Sequence, residues 1–301
     1  AIESGVKHLK VAYRHVNSTI KRFRLQTISN YAEFLYTVVS KHPDRDAQAK
    51  RLKHKISGHV PRRMNHLKVR HEQSLTDEQI DVLTEKLLPG NPENPFNDEA
   101  LQYRNLLMLH VLYETGMRKG ELLGLYVEDV DFRESFVKIR RRHHDPADPR
   151  TDQPLQKSQE RDIPIPEGLL DMILFYISNL RSRSKKARKH PVLFVGHHNN
   201  DEGNPLSASG LQYVFSTLVK AFPVMKGVHP HLMRHHFNYR FSVMLDNMEG
   251  WENMTGEERA AFDETARSDI MGWKPNSDMQ KTYNKRYNLE IRNKALKQRA
   301  E

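Results

Sequence analysis

The sequence predicts a mainly helical α+β protein: a basic, all-helical front domain, then a larger mixed helical domain holding one small antiparallel sheet. Three observations predict it. A length of 301 residues favours two domains, since single domains run to about 100–200 residues. Charge is divided unevenly: residues 1–70 hold 16 Lys+Arg against 4 Asp+Glu, a local +12, so the rest of the chain carries −2 of the total +10. Apolar residues recur mainly at spacings of three and four, and alternate strictly in only two short stretches. The domains are drawn at 1–70 and 71–287, with 288–301 as a C-terminal tail.

The elements follow in order. Val6, Leu9, Tyr13, Val16, Ile20 and Phe23 form the apolar stripe of a first helix, which tertiary packing is expected to bury. Ile28, Tyr31, Leu35 and Val38 mark a second helix, and residues 47–56 a short basic third. The Gly/Pro-punctuated stretch from Gly58 to Arg70 reads as an interdomain linker. Thr76 followed by Gln79 is a capping-box pattern that opens the second domain. Residues 100–114 are a strongly periodic helix stopped by Gly116, and 119–125 a short helix after it. Residues 136–140 alternate as a strand, and 161–165 supply its antiparallel partner. Helices are predicted at 168–181, 208–221, 232–245, 257–271 and 278–287.

Composition removes several classes. With no cysteine, disulfides, thiolate zinc sites, iron–sulfur clusters and cysteine nucleophiles are excluded. There is no long apolar run and no signal-peptide pattern, which predicts a cytoplasmic protein with no membrane partner. The first residue is Ala1 rather than Met, so a preceding segment is expected. Gly116 and Gly120 make neither a Walker nor a dinucleotide spacing. The basic front domain has the electrostatic footprint of a phosphate-backbone binder. Its proposed contacts are Lys21, Arg22, Arg24, Lys53, Lys55, Arg62 and Arg63, reaching phosphate more than base edges.

Three places carry chemistry. In Thr115-Gly116-Met117-Arg118-Lys119-Gly120-Glu121 a helix ends and Arg118 sits on the turn before the next, with Glu121 near enough to orient it. In His229-Pro230-His231-Leu232-Met233-Arg234-His235, His231 and Arg234 share one helix face. His231 and His235 have the i, i+4 spacing of zinc ligands, but Arg234 beside them disfavours a dication, and Arg with His better suits a phosphate oxygen. The third place is Gly272-Trp273, followed by Tyr283 and Tyr287. A phenol with an ordinary pKa near 10 needs neighbouring cations to act as a nucleophile. Arginines and a histidine would also stabilise the charge that builds on a phosphodiester under attack, with no metal or other cofactor expected.

Taken together, these boxes resemble the tyrosine recombinase (phage-integrase-like) family over about residues 76–287. Thr115 to Leu125, with Val127-Glu128-Asp129-Val130-Asp131 after it, looks like the family's first-arginine box. His231-Leu232-Met233-Arg234-His235 is similar to its His-x-x-Arg box, and Gly272-Trp273 to the following Gly-His/Trp position. Gln156 to Pro164 resembles the β-hairpin that carries the family's lysine. The resemblance implies Arg118, Lys157, His231, Arg234 and Trp273 as catalytic residues and Tyr283 as nucleophile, with Tyr287 its alternative. The front domain fits the family's core-binding domain in character. Residues 247–262 look like an insertion, read as a surface loop or as a contact with DNA or a neighbouring protomer.

The function this implies is site-specific recombination for a mobile element, an integrase or transposase acting on double-stranded DNA through a 3′-phosphotyrosyl link. A tetramer on DNA, accessory DNA-bending proteins and a nucleoid-associated location in a prokaryotic host go with that expectation. The alternatives are type IB topoisomerase-like cleavage and rejoining, a catalytically idle DNA-binding regulator, and a histidine-metal hydrolase.

Overall fold

The computed structural model describes residues 18–61 and 74–273. The chain divides into two units, Ala1–Val69 and Arg70–Glu301.

In the first unit, α1 (Ser18–Val39) packs against α2 (Arg45–Gly58). Over the described residues the two helices expected on either side of residues 24–27 run as one from Ser18 to Val39, while Val6, Leu9, Tyr13 and Val16 lie outside the described residues. No glycine or proline interrupts that stretch, and the Thr27 hydroxyl donates to the Phe23 carbonyl at 3.0 Å without breaking it. Ala49 and Ser29 are buried at the contact, and the Lys53 ammonium meets the Glu33 carboxylate at 2.6 Å. Ile20 and Phe23, expected in a core, are exposed, Phe23 by 71 %.

The second unit opens with α3 (Asp77–Asp81), and both halves of its capping box form: the Gln79 N–H donates to Thr76 Oγ1, and the Thr76 N–H to Gln79 Oε1. A π-helical turn, Val82–Lys86, follows. Then α4 (Glu99–Thr115) runs through the middle of the core, burying Leu106, Leu107, Met108, Leu109, Val111 and Leu112. So many consecutive buried positions mean a helix covered on most sides rather than on one stripe. The short α5 (Lys119–Leu123) leads to a three-stranded antiparallel sheet, β1 (Val130–Asp131), β2 (Phe136–Ile139) and β3 (Arg161–Pro164), in that order. Val137 pairs with Val130 on one side and Ile163 on the other. The β2–β3 hairpin follows the sequence pattern; β1 adds a strand that the pattern does not show, since two residues carry no alternation.

After the sheet come α6 (Glu167–Phe175), a second π-helical turn at Tyr176–Leu180, α7 (Ala208–Ala221), α8 (Pro230–Asp246) and α9 (Gly256–Met271). Helix α8 packs on α4, and α9 reaches β3. The stretch 247–262, read as an insertion, holds a 3-10 turn at Trp251–Asn253 and then the first turns of α9, whose start falls within one residue of the helix expected at 257–271. Thr255 and Glu258 form a capping box that starts α9 inside it. No helix among the described residues is long and apolar enough to cross a membrane.

Candidate active site

The site grows from the ends of three helices. Helix α4 stops where Gly116 turns left-handed at φ +59°. A Cβ there would stand 2.7 Å from the Phe237 ring of α8, so both the turn and the close approach require glycine. Arg118 follows in extended conformation at the head of α5. Glu121 reaches back to accept the Arg118 backbone N–H at 2.8 Å, and also accepts from Arg118 Nη1 at 3.4 Å. The arginine is thus oriented through backbone and side chain, as its sequence position suggested.

Glu121 is fully buried, and its main partner is another residue. Arg161, on β3, donates from Nη2 to Glu121 Oε2 at 2.8 Å and from Nη1 to Oε1 at 3.2 Å, and the Ser158 hydroxyl donates to Oε1. Burial pushes the Glu121 carboxyl up. The hydrogen bonds and charge of Arg161, with the Ser158 hydroxyl and the Arg234 charge, more than reverse this and leave it at about 2.

Helix α8 starts with Pro230, a fit for a first position whose N–H would be unpaired anyway, while His229 Nδ1 caps the Leu232 N–H at 3.1 Å. Arg234 is only 1 % exposed. Its Nη1 donates to the Gly116 carbonyl at 2.7 Å and its Nη2 to the Met271 carbonyl at 2.9 Å. Burial first, and then the neighbouring His229, Arg234 and Arg118, lower the His231 pKa, which favours the neutral imidazole.

Helix α9 ends at Gly272, left-handed at φ +61°, after which the Trp273 N–H closes back on the Ser268 carbonyl at 3.1 Å. The Trp273 side chain is buried with Met271, Phe237 and Ile270.

Arg118, Lys119, His229, His231 and Arg234 line one cavity of about 360 Å³, whose apolar wall is Leu211 and Phe215 of α7. Among the described residues no carboxylate lines it. A donor-rich, acid-free hollow suits a phosphate or another anion and opposes a dication. Among the described residues, no group of three or more His, Cys, Asp or Glu could hold a metal ion.

Three residues picked from the sequence, Arg118, His231 and Arg234, therefore meet in one place. Trp273 lies buried against Met271, Phe237 and Ile270, outside the cavity lining. Lys157 is exposed on the connection between β2 and β3 and does not line the cavity, whereas its neighbours Gln156 and Ser158 are buried. Tyr283, Tyr287, Arg62 and Arg63 lie outside the described residues. In the first unit, Arg22 and Lys53 line a polar groove between α1 and α2, and Arg24 and Lys55 are exposed. The Lys21 side chain is partly exposed on α1. Sequence reading missed Lys119 and His229 as lining residues, and missed Arg161 altogether.

Residues 73–245 match the phage integrase family. The chain belongs to that family. It is 30% identical over 165 residues to the tyrosine recombinase XerD of Halalkalibacterium halodurans, an alignment covering 55% of this chain and 46% of that protein. It is 31% identical over 144 residues to the tyrosine recombinase XerC of Listeria monocytogenes serotype 4b, covering 47% and 41%. The chain thus spans about half the length of the curated relatives it matches. Among solved structures it is similar to XerA recombinase, at 20% identity and a TM-score of 0.46 over 92% of this chain and 83% of that one. The Tn1549 transposon integrase in complex with transposon right end DNA is similar at 19% identity and a TM-score of 0.49, over 96% and 98%. The family-matched stretch holds Arg118, Lys157, His231 and Arg234, and stops short of Trp273 and Tyr283.

Proposed function

We propose that this protein is a site-specific DNA recombinase that cuts and rejoins strands of a mobile element through a 3′-phosphotyrosyl intermediate. The observation that carries the reading is the cavity where Arg118, His231 and Arg234 converge, with no carboxylate among the described residues that line it. The Tyr283 phenol passes its proton to His231 as its oxygen bonds to the scissile phosphorus, the bond to the 5′-oxygen breaks, and the departing 5′-oxygen takes a proton from Lys157 to leave as a hydroxyl. Rejoining reverses these steps with the 5′-hydroxyl of another strand as nucleophile. The guanidiniums of Arg118 and Arg234 and the His231 imidazole meet the charge that grows on the nonbridging oxygens, and each such preorganised donor is worth about 10²–10³ in rate. Keeping the phosphodiester energy in the protein link removes any need for ATP.

In this reading the domain 71–287 does the chemistry, and the domain 1–70 grips duplex DNA through Lys21, Arg22, Arg24 and Lys55. Strand exchange between two duplexes calls for a tetramer on DNA, helped by DNA-bending partners, with the protein at the nucleoid. The test is covalent trapping in EDTA: wild type, Tyr283→Phe and Tyr287→Phe are mixed with labelled, nicked DNA from the element's ends and run on a denaturing gel. A protein–DNA adduct lost only in Tyr283→Phe is expected. Tight binding with no adduct from wild type would instead make the protein a regulator, and relaxation of plasmid lacking any such site would make it topoisomerase-like.

A further inference from the structure

We infer that Arg161 is a positioning residue that ties the two halves of the site together; this rests on the recombinase reading of the cavity. The residue sits on β3, where burial alternates Arg161 in, Asp162 out, Ile163 in, Pro164 out, so the guanidinium occupies a core-facing position. From there it serves two masters. On one side Nη1 and Nη2 hold the Glu121 carboxylate, which in turn holds the backbone and side chain of Arg118. On the other, Nε donates to the Ile270 carbonyl at 2.6 Å, in the last turn of α9.

That last turn matters because the next carbonyl, Met271 O, accepts from Arg234 Nη2 at 2.9 Å and from Arg118 Nη1 at 3.5 Å. The carbonyl after it, Gly272 O, accepts the Gln159 N–H at 3.2 Å, two residues from Arg161. Arg161 therefore fixes the turn whose carbonyls orient both cavity arginines, and the turn that buries Trp273. The packing is close: a Cβ on Gly272 would come within 2.8 Å of Arg161 Nη1. Arg161 does not line the cavity, so it acts through Glu121 and α9, not on the phosphate.

A lysine at 161 can keep the charge on Glu121 but, with one nitrogen, cannot also reach the Ile270 carbonyl in a fixed fork. A glutamine removes the charge and leaves the buried Glu121 with the more distant Arg118 guanidinium, at 3.4 Å, as counter-ion. The chain has two tryptophans, Trp251 and Trp273, so Trp251→Phe makes Trp273 the sole indole reporter of the turn. In that background, Arg161→Lys and Arg161→Gln are assayed for three quantities: single-turnover adduct formation on nicked DNA, DNA affinity, and Trp273 emission without DNA. Arg161→Lys is expected to slow adduct formation about tenfold and Arg161→Gln about a hundredfold, at or below the roughly 10²–10³ lost when a preorganised donor is removed outright. Both should leave affinity within about threefold, as expected when phosphate contacts in the front domain dominate binding, and both should shift Trp273 emission to the red.

Arg161→Gln should also lose rate with acid more steeply than wild type, as the released Glu121 titrates upward from about 2 and adds its own protonation to that of His231. Adding Glu121→Gln should remove that extra steepness and restore the wild-type profile, a response that simple loss of fold would not give. If Arg161→Gln does not fold, Arg161→Lys decides. A folded variant with wild-type rate and unshifted Trp273 emission would overturn the inference. If wild type itself forms no adduct, the recombinase reading fails, and unshifted DNA-free emission in either folded variant would separately refute the link between Arg161 and the turn.

Discussion

Gly272→Ala should damage the protein far more than a left-handed glycine usually does. Gly250 is the natural control: both residues are left-handed, at φ +61° and φ +82°, but a Cβ on Gly250 meets nothing within 4 Å. Alanine at 250 therefore carries only the conformational cost, about 1 kcal/mol. At 272 the same Cβ stands 2.8 Å from Arg161 Nη1, 2.9 Å from the Gln159 carbonyl oxygen and 3.0 Å from Ser158 Cβ. Two of these neighbours belong to the buried Glu121 cluster and the third is backbone, so none is a free-swinging side-chain end. Displacing the guanidinium weakens hydrogen bonds to a charged partner, worth about 2 kcal/mol. Gly272→Ala should thus cost about 3 kcal/mol. Urea unfolding followed by tryptophan emission reads the second unit alone, because both tryptophans lie in it. Slopes equal to wild type would license reading midpoints as stability. Midpoints for the two variants within experimental error of each other would refute the packing argument.

Arg234→Lys should lower adduct formation by about 10²–10³ with little change in DNA affinity, because one ammonium cannot bond both the Gly116 and Met271 carbonyls and still face the phosphate; single-turnover trapping reads it. Glu121 has its folded pKa depressed to about 2 from 4.5. A depressed carboxyl stabilises above its unfolded pKa, so about 3 kcal/mol should be present at neutral pH and lost as pH falls from near 4.5 through 2. Acid unfolding of Glu121→Gln should lack that portion of the slope. His231 has a lowered pKa, so adduct formation should stay flat as pH drops from 8 to its ordinary 6.5 and decline only below it; an inflection above 6.5 would contradict the electrostatics. Neutralising Arg24 or Lys55 should reduce the salt dependence of DNA binding by about 0.9 in log–log slope for each phosphate left without its cation. Neutralising Lys53, already paired with Glu33 at 2.6 Å, should reduce it less.

Much of this architecture was legible in local chemistry. Thr76 with Gln79, Gly116, and the alternation of residues 136–140 and 161–165 each announce an element through a mechanism acting within a few residues, and each element formed. The helix face that puts His231 beside Arg234 was readable for the same reason. What escaped were features decided at long range. The Glu121–Arg161 pair spans 40 positions, and no periodicity announces it. One signal existed: Arg161 sits on the inward parity of a strand whose other inward residue is Ile163, and a buried arginine demands a partner. Nor could sequence show that Lys157 stays exposed while Gln156 and Ser158 turn inward, since that depends on how a twenty-one-residue connection between β2 and β3 lies against α5. The π-helical turns at Val82–Lys86 and Tyr176–Leu180 likewise carry no pattern distinct from an α-helix.

The way the arginines are held bears on why they can act on a phosphate. A guanidinium buried in a protein ordinarily takes a carboxylate partner, and the pair is then close to neutral. Arg161 follows that rule with Glu121. Arg234 is gripped differently: its two terminal nitrogens donate to the carbonyls of Gly116 and Met271, at the C-terminal ends of α4 and α9. Helix C-termini present unpaired carbonyls and about half a negative charge, enough to fix a guanidinium without cancelling it. Arg118 borrows the Met271 carbonyl as well, and touches Glu121 only at 3.4 Å, a carboxylate already committed to Arg161. Arg161 thus takes the larger share of the buried carboxylate, while Arg118 and Arg234, positioned in part by carbonyls at helix ends, line a cavity with no carboxylate among its described lining residues. Replacing any of those backbone acceptors with a side-chain acid would hold the arginines equally well and leave them electrostatically spent.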